Sequence, residues 1–260
     1  MSDFEDTAAD PSTLDDHRLS AWLATAAGER LLQVRGEGLA GRELKDAGDQ
    51  AAHNLLMDLL ARYRPDDAVL SEEGKDDKAR LLADRVWIVD PLDGTREFSE
   101  PPRDDWAVHV ALWEKGELVA GAVAQPALGE TFSTAQPPVV PPRTSVRPRI
   151  AVSRTRPPAF VEALAAEIDA ELVPMGSAGV KVISVTRDVT DALPCTRAGS
   201  TSGTTLPPRL SPVRPGCTAR ASTARSWSTT RTTSRCPDLI VCRPELAEQI
   251  LEFVRRHGTV

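Results

Sequence analysis

Residues 86–98 read VWIVDPLDGTREF. The apolar run Val86-Trp87-Ile88-Val89 has the length and composition of a buried strand that ends at Asp90. Asp90 and Asp93 stand three apart across a Pro-containing turn, a spacing that lets both carboxylates face one pocket. Packed carboxylates repel one another, so such a cluster calls for a compensating cation. Oxygen-only donors suit Mg²⁺, which keeps waters and takes phosphate oxygens. Gly94 and Thr95 follow at once. Glycine permits close backbone approach, and the amides opening a helix there would hold an anion. Taken alone, D-P-x-D-G-T reads equally well as a solvated surface turn. A second strand end, Leu70-Ser71-Glu72-Glu73-Gly74, lies shortly upstream and tips the balance towards a site.

Outward from this stretch, a first helix is expected to start near Thr13, with Thr13 and Asp16 as a weak capping box. Its apolar face is Leu19, Trp22, Leu23, Ala26, Ala27 and Leu31. A second helix is expected from about Ala47 to Tyr63, with Ala51, Leu55, Leu56, Leu59 and Leu60 inward and Pro65 ending it. Ala68–Leu70 is a short strand. Trp106–Trp113 and Glu117–Ala124 form a hairpin about Lys115-Gly116, and Glu130–Ala135 is a further strand. Residues 137–148 carry five prolines and read as a linker. Beyond it come a strand at Arg149–Ser153, a helix at Ala159–Ile168, a strand at Leu172–Val173 and a helix at Gly176–Val185. A strand at Asp238–Cys242 and a helix at Pro244–His257 close the chain. The organisation is therefore an α+β subdomain over 1–136, a linker over 137–148 and an α/β subdomain over 149–260.

The chain has 260 residues and a formal net charge of −7. That length accommodates one large domain or two packed subdomains. So acidic a chain is a poor match for a nucleic-acid polymer. No apolar run is long enough for a membrane span. The acidic start MSDFEDTAAD is unlike an export signal, so the expectation is cytoplasmic. Cys195, Cys217, Cys236 and Cys242 show no CxxC spacing, which argues against a zinc site or a disulfide framework. His17, His53, His109 and His257 are scattered, and none is expected to be catalytic.

Residues 193–236 differ from their surroundings. They contain no Asp, Glu or Lys, but seven Arg, ten Thr, seven Ser and three of the four Cys. A basic Ser/Thr-rich insert is one reading. An anion-binding loop at Gly199–Thr205 is a second, weakened by the missing GK[ST] ending. A compensated pair of frame shifts is the third and is favoured. With GC-rich codons CTRAGSTSGT becomes HAGGQYEWDS in a neighbouring frame, and ASTARSWSTTRTTSRC becomes LDGSLLVYNPDDLAL. If translated as written, the block is expected to cost the second subdomain strands and to leave the chain poorly active.

WIVDPLDGTREF, with LSEEG upstream, resembles the magnesium-dependent, lithium-sensitive phosphomonoesterases of the inositol monophosphatase superfamily. Residues 106–126 resemble that family's central hairpin. AVSRT (151–155) resembles its second-half opening strand, and MGSAGVKV (175–182) its G-S-x-x-x-K segment. The resemblance implies a layered αβαβα sandwich. It implies that Glu72, Asp90 and the Leu92 carbonyl bind a first Mg²⁺, and that Asp90 and Asp93 hold a second. Gly94 and Thr95 would cradle the phosphate, with Arg96 beside them and Glu72, Leu92 and Asp93 also facing substrate. Asp49, in KDAGDQAAH (45–53), would activate water together with Thr95, and Glu73 would support it. Asp46 stands where the family has a Thr. A further metal-binding Asp, in a W-D motif, belongs near Gly203 and Thr204, and the frame-shifted reading restores it.

Arg96-Glu97-Phe98 after Thr95 resembles the 3′(2′),5′-bisphosphate nucleotidase branch. The implied reaction is removal of the 3′-phosphate of adenosine 3′,5′-bisphosphate to give AMP, in sulfur assimilation. Inositol-1-phosphate and fructose 1,6-bisphosphate are the alternative substrates within the superfamily. An inactive metal-binding scaffold is the alternative from another class. The expected partner is a small phosphorylated substrate, and a homodimer is admitted as the oligomeric form.

Overall fold

A computed structural model describes residues 10–75, 77–195, 218–221 and 239–257. The first half contains α1 (Asp16–Arg35), α2 (Gly41–Tyr63), β1 (Ala68–Ser71), β2 (Arg85–Asp93), α3 (Thr95–Phe98), β3 (Ala107–Glu114), β4 (Glu117–Gln125) and β5 (Glu130–Ser133). The second contains β6 (Arg149–Ser153), α4 (Ala159–Glu167), β7 (Glu171–Met175), α5 (Ala178–Thr186), β8 (Ala192–Cys195), β9 (Thr218–Ala221), β10 (Leu239–Cys242) and α6 (Pro244–His257).

Two helix starts differ from the sequence expectation. Asp15, not Thr13, caps α1, its carboxylate accepting from the Arg18 amide at 2.8 Å. Thr13 sits in a 3₁₀ turn capped by Asp10. Helix α2 begins six residues before Ala47, because Leu44 is already buried. Its inward stripe is Leu44, Gly48, Ala52, Leu56 and Leu60 at steady i+4 spacing. Ala51, Leu55 and Leu59, expected inward, flank that stripe and are only half-buried.

The strands form two five-stranded sheets. The first has the order β1-β2-β3-β4-β5 and the second β7-β6-β8-β10-β9. In the first, β1 and β2 are parallel and the other pairs antiparallel. Helices α1 and α2 cover one face of it, where Leu19, Leu23, Leu31, Leu56 and Leu60 meet Trp87, Val89, Val108, Val110 and Leu112. Each such fully buried side chain contributes about 1.5–3 kcal/mol. Helix α5 lies between the sheets. Val180 and Ile183 pack on Ala107 and Val123 of the first, and Val182 and Val185 on Ala151, Leu193 and Val241 of the second. Helices α4 and α6 close the outer face, with Leu164, Ile250 and Phe253 against Ile150 and Ile240. The result is a five-layer αβαβα sandwich. Because β3 is covered on both faces, its alternation separates two cores rather than core from solvent.

Parts of the acid-free block enter the second sheet. Leu193–Cys195 complete β8, and Thr218–Ala221 form β9 against β10. The expectation of lost strands is corrected for these segments, since backbone pairing at a sheet edge needs no apolar alternation. The remainder of 193–236, including Gly199–Thr205 and the positions near Gly203 and Thr204, lies outside the described residues. No helix among the described residues is long and apolar enough to cross a membrane.

The segment 137–148 contains no helix or strand and is held by an arginine–aspartate cluster. Arg243 Nε bonds Asp191 Oδ1 at 2.9 Å, Nη2 bonds Asp188 Oδ1 at 2.6 Å, and Nη1 donates to Pro141 O at 2.7 Å. Ser145 Oγ and the Arg149 amide donate to Asp191 Oδ2. Asp191 and Arg243 are both buried. Removing one partner of a buried pair costs about 3–5 kcal/mol. Arg149 remains as a second cation, which places Arg243→Met near the lower figure. A fall in Tm of roughly 6–12 °C is expected in a circular-dichroism melt. An unchanged Tm would show that the cluster contributes nothing to stability.

Candidate active site

The site begins with strand parity. Successive residues of a strand point to opposite faces, so two residues three apart should diverge. Here the β2–β3 ladder pairs Asp90 with His109 and Asp93 with Ala107, three steps on β2 against two on β3. This bulge over Pro91-Leu92 inserts the one residue that returns both carboxylates to the same side. Strand β2 therefore runs through to Asp93 instead of ending at Asp90. Glu72 follows the last residue of β1, and its amide bonds Val89 O at 3.1 Å. That pairing sets the Glu72 carboxyl beside Asp90.

Asp90 is fully buried. Its Oδ1 accepts weakly from the Leu92 amide at 3.3 Å, and its Oδ2 is buried with no hydrogen-bond partner among the described residues. Burial, then the charges of Asp93 and Glu72, push the Asp90 carboxyl well above the usual range. Glu72 is also raised, chiefly by burial. Asp93 moves the other way. Burial opposes its charge, but the His109 hydrogen bond and charge, the Gly179 amide and the Ser177 hydroxyl outweigh it and hold it well below normal. Asp49, half-buried on α2, is pushed up to about 7 by burial and then by the charges of Glu73 and Glu72. The four carboxyls thus share one electrostatic neighbourhood.

An orphaned, buried carboxylate oxygen among mutually repelling carboxyls fits a hard cation. Glu72, Asp90, Asp93 and the Leu92 carbonyl supply oxygen donors of the kind Mg²⁺ takes. Ligand atoms of Asp90, Asp93 and His109 lie within 4.8 Å of one another.

Gly94 has φ of 90°, a left-handed conformation suited to glycine, and starts the single turn of α3. The residues of this turn line a cavity of about 390 Å³. Glu72, Asp90, Asp93, Thr95, Arg154 and Lys181 are among the cavity's lining residues. Thr95 Oγ1 donates to Leu92 O at 3.1 Å. No Thr95–Asp49 hydrogen bond occurs among the described residues. The Leu92 carbonyl has a second lone pair and can serve both Thr95 and a cation. Glu73 is exposed. Arg96 is exposed at the cavity rim and paired with Glu100 at 3.3 Å. Glu97 is buried and bonded by Arg154 Nη2 at 2.8 Å, while Phe98 packs into the core on Trp106.

His109 was not legible in the sequence as a site residue. Its Nε2 lies 2.9 Å from Asp93 Oδ2, so the four histidines are not all remote from the chemistry. Only the register opposite Asp90, across a bulge, reveals it. The sequence marks Ser177 and Gly179 only as part of the G-S-x-x-x-K segment, not as partners of Asp93. Arg154 and Lys181 were likewise unassigned.

The sequence profile of the Inositol monophosphatase family matches residues 17–140. The 3′-phosphoadenosine 5′-phosphate phosphatase of Mycobacterium leprae is 40% identical over 256 residues, covering 93% of this chain and 94% of that protein. The chain belongs to the inositol monophosphatase family. Within that family, the 3′(2′),5′-bisphosphate nucleotidase CysQ of Escherichia coli K12 is 35% identical over 147 residues, 54% of this chain and 59% of the relative. Solved members share the fold at lower identity. An IMPase of Thermotoga maritima superposes with a TM-score of 0.69 at 19% identity, covering 94% of this chain and 98% of that one. CysQ of Bacteroides thetaiotaomicron gives 0.64 at 22%, with 86% and 96% covered.

Proposed function

We propose that this family member is a Mg²⁺-dependent phosphomonoesterase that removes the 3′-phosphate of adenosine 3′,5′-bisphosphate, releasing AMP. The observation that carries this reading is the near full-length similarity to a protein named for that substrate. The Glu72–Asp90–Asp93 cluster at the mouth of α3 supplies the chemistry.

Glu72, Asp90, Asp93 and the Leu92 carbonyl would hold the metal, which supplies Lewis-acid stabilisation of charge on the phosphoryl oxygens. The amides following Gly94 hold the phosphate in line, and the Thr95 hydroxyl fixes the turn. Asp49 accepts a proton from the attacking water. Glu73 lends negative charge to Asp49, which favours that proton transfer. Arg96, at the rim, and the remainder of the cavity accommodate the non-reacting part of the substrate. A volume of about 390 Å³ lies within the size range of small-molecule sites.

Phosphate release by the full chain, with Mg²⁺, is compared for adenosine 3′,5′-bisphosphate and inositol-1-phosphate. The nucleotide is expected to have the higher kcat/KM by at least about tenfold, equivalent to 1.4 kcal/mol of differential transition-state binding. Equal values, or the reverse order, would move the activity to the inositol branch. Added Li⁺ in the same assay tests the inhibition that the family resemblance implies.

A further inference from the structure

Asp93, the carboxylate proposed to hold the second metal with Asp90, is caged on one oxygen. Its Oδ2 receives the Ser177 hydroxyl at 2.6 Å, the Gly179 amide at 2.7 Å and His109 Nε2 at 2.9 Å. Asp93 is buried, and none of these bonds uses Oδ1. The three donors come from two layers of the sandwich: His109 from β3, and Ser177 and Gly179 from the start of α5. Ser177 is itself fixed, its Oγ accepting from the Val180 amide at 3.0 Å as the helix cap. A carboxylate acceptor requires that Nε2 carry a proton.

The imidazole occupies the gap left by the missing side chain at Gly179. A Cβ added at Gly179 would lie 2.3 Å from His109 Nε2 and 2.4 Å from its Cε1. Glycine at 179 is therefore the condition for a histidine at 109 to reach Asp93. The two residues form one device, a ring on a strand and a gap on the facing helix. The device consumes Oδ2, so only Oδ1 is left to face the cavity.

Resting on the metal-site reading above, we propose that His109 is a positioning residue. It fixes the carboxylate plane of Asp93 so that Oδ1 is presented to the cation, and it is not itself a ligand. Ligation through Nε2 would break the bond to Oδ2 and leave that buried oxygen with one donor fewer. Partners of this kind change metal affinity by about 10–100-fold when removed.

The test uses Mn²⁺ as the probe, titrated calorimetrically into the full chain. His109→Ala is expected to weaken Mn²⁺ binding by at least about tenfold. His109→Gln, whose amide nitrogen reaches about as far as Nε2, should restore affinity to within a few-fold of the parent. His109→Asn, of similar polarity but too short to reach Oδ2, should behave like the alanine variant. Circular dichroism in EDTA identifies variants that have not folded, and the Gln–Asn pair keeps the comparison decisive if the alanine variant is lost. Equal affinity across all folded variants would overturn the proposal. Pulsed EPR of the Mn²⁺-loaded parent supplies an independent arm: a directly coordinated nitrogen would make His109 a ligand and overturn the positioning role. If the parent itself binds no Mn²⁺, the metal-site reading fails first, and the variants are not needed to see it.

Discussion

Asp93→Asn is expected to lower kcat/KM by roughly 10³-fold or more, and to leave the Tm in EDTA within a few degrees of the parent. The two halves of this result come from the two oxygens of one side chain. Three donors converge on Oδ2, so the asparagine amide must turn its oxygen towards His109, Ser177 and Gly179. Its NH₂ group then takes the place of Oδ1 and points at the cation site. An amide nitrogen offers donors only, so it opposes a metal where the carboxylate would have bound one. Losing several kcal/mol of charge stabilisation, at about 1.4 kcal/mol per tenfold, gives the expected loss of rate. The fold is spared because the cage keeps an acceptor. Three weaker bonds to a neutral oxygen are offset by relief of the repulsion that raises Asp90 and Glu72. Phosphate-release kinetics and a melt in EDTA check the pair of outcomes. A variant turning over at the parental rate would remove Asp93 from the mechanism.

Much of this was legible in the sequence because it is local. The strand at Val86–Val89, the hairpin about Lys115-Gly116 and the helix at Pro244–His257 each carry their own period and punctuation. Glu72, Asp90 and Asp93 announce themselves by residue type, since carboxylates beside an apolar strand need a reason to be there. What escaped was set by pairing between segments. Whether Asp90 and Asp93 face the same side depends on a bulge that the D-P-x-D spacing permits but does not require. His109 looks like any residue of an alternating strand until its partner in the ladder is known. Gly179 looks like a helix interruption until the ring that fills its gap is found. The early start of α2 escaped for a simpler reason. Only Leu44 marks its first turn, and one apolar residue is too little signal for a period.

The second large effect is the dependence of stability on pH and on metal together. In the metal-free protein Asp49 is raised from 3.8 to about 7, so the folded chain retains a proton that the unfolded chain has lost between those values. Stability falls with pH wherever the native state binds more protons than the unfolded one. The EDTA Tm is therefore expected to decline from pH 5.5 to 8. That rise corresponds to about 4 kcal/mol, and the partial exposure of Asp49 reduces this to about 1–2 kcal/mol. Asp90 and Glu72, both raised, push in the same direction. Asp93 is lowered, so its contribution is complete above 3.8 and is lost only as pH falls further. It leaves the window from 5.5 to 8 untouched. A decline in Tm of roughly 3–6 °C follows from the Asp49 contribution. A bound cation reverses the sign, because it replaces the protons that the cluster would otherwise hold. The rise in Tm on adding Mg²⁺ should accordingly be small at pH 5.5 and largest at pH 8. Differential scanning fluorimetry with EDTA and with Mg²⁺ across that range measures both curves. A Mg²⁺-induced rise of the same size at every pH would mean that the ion binds where no carboxyl has to lose a proton, away from Asp49, Glu72 and Asp90.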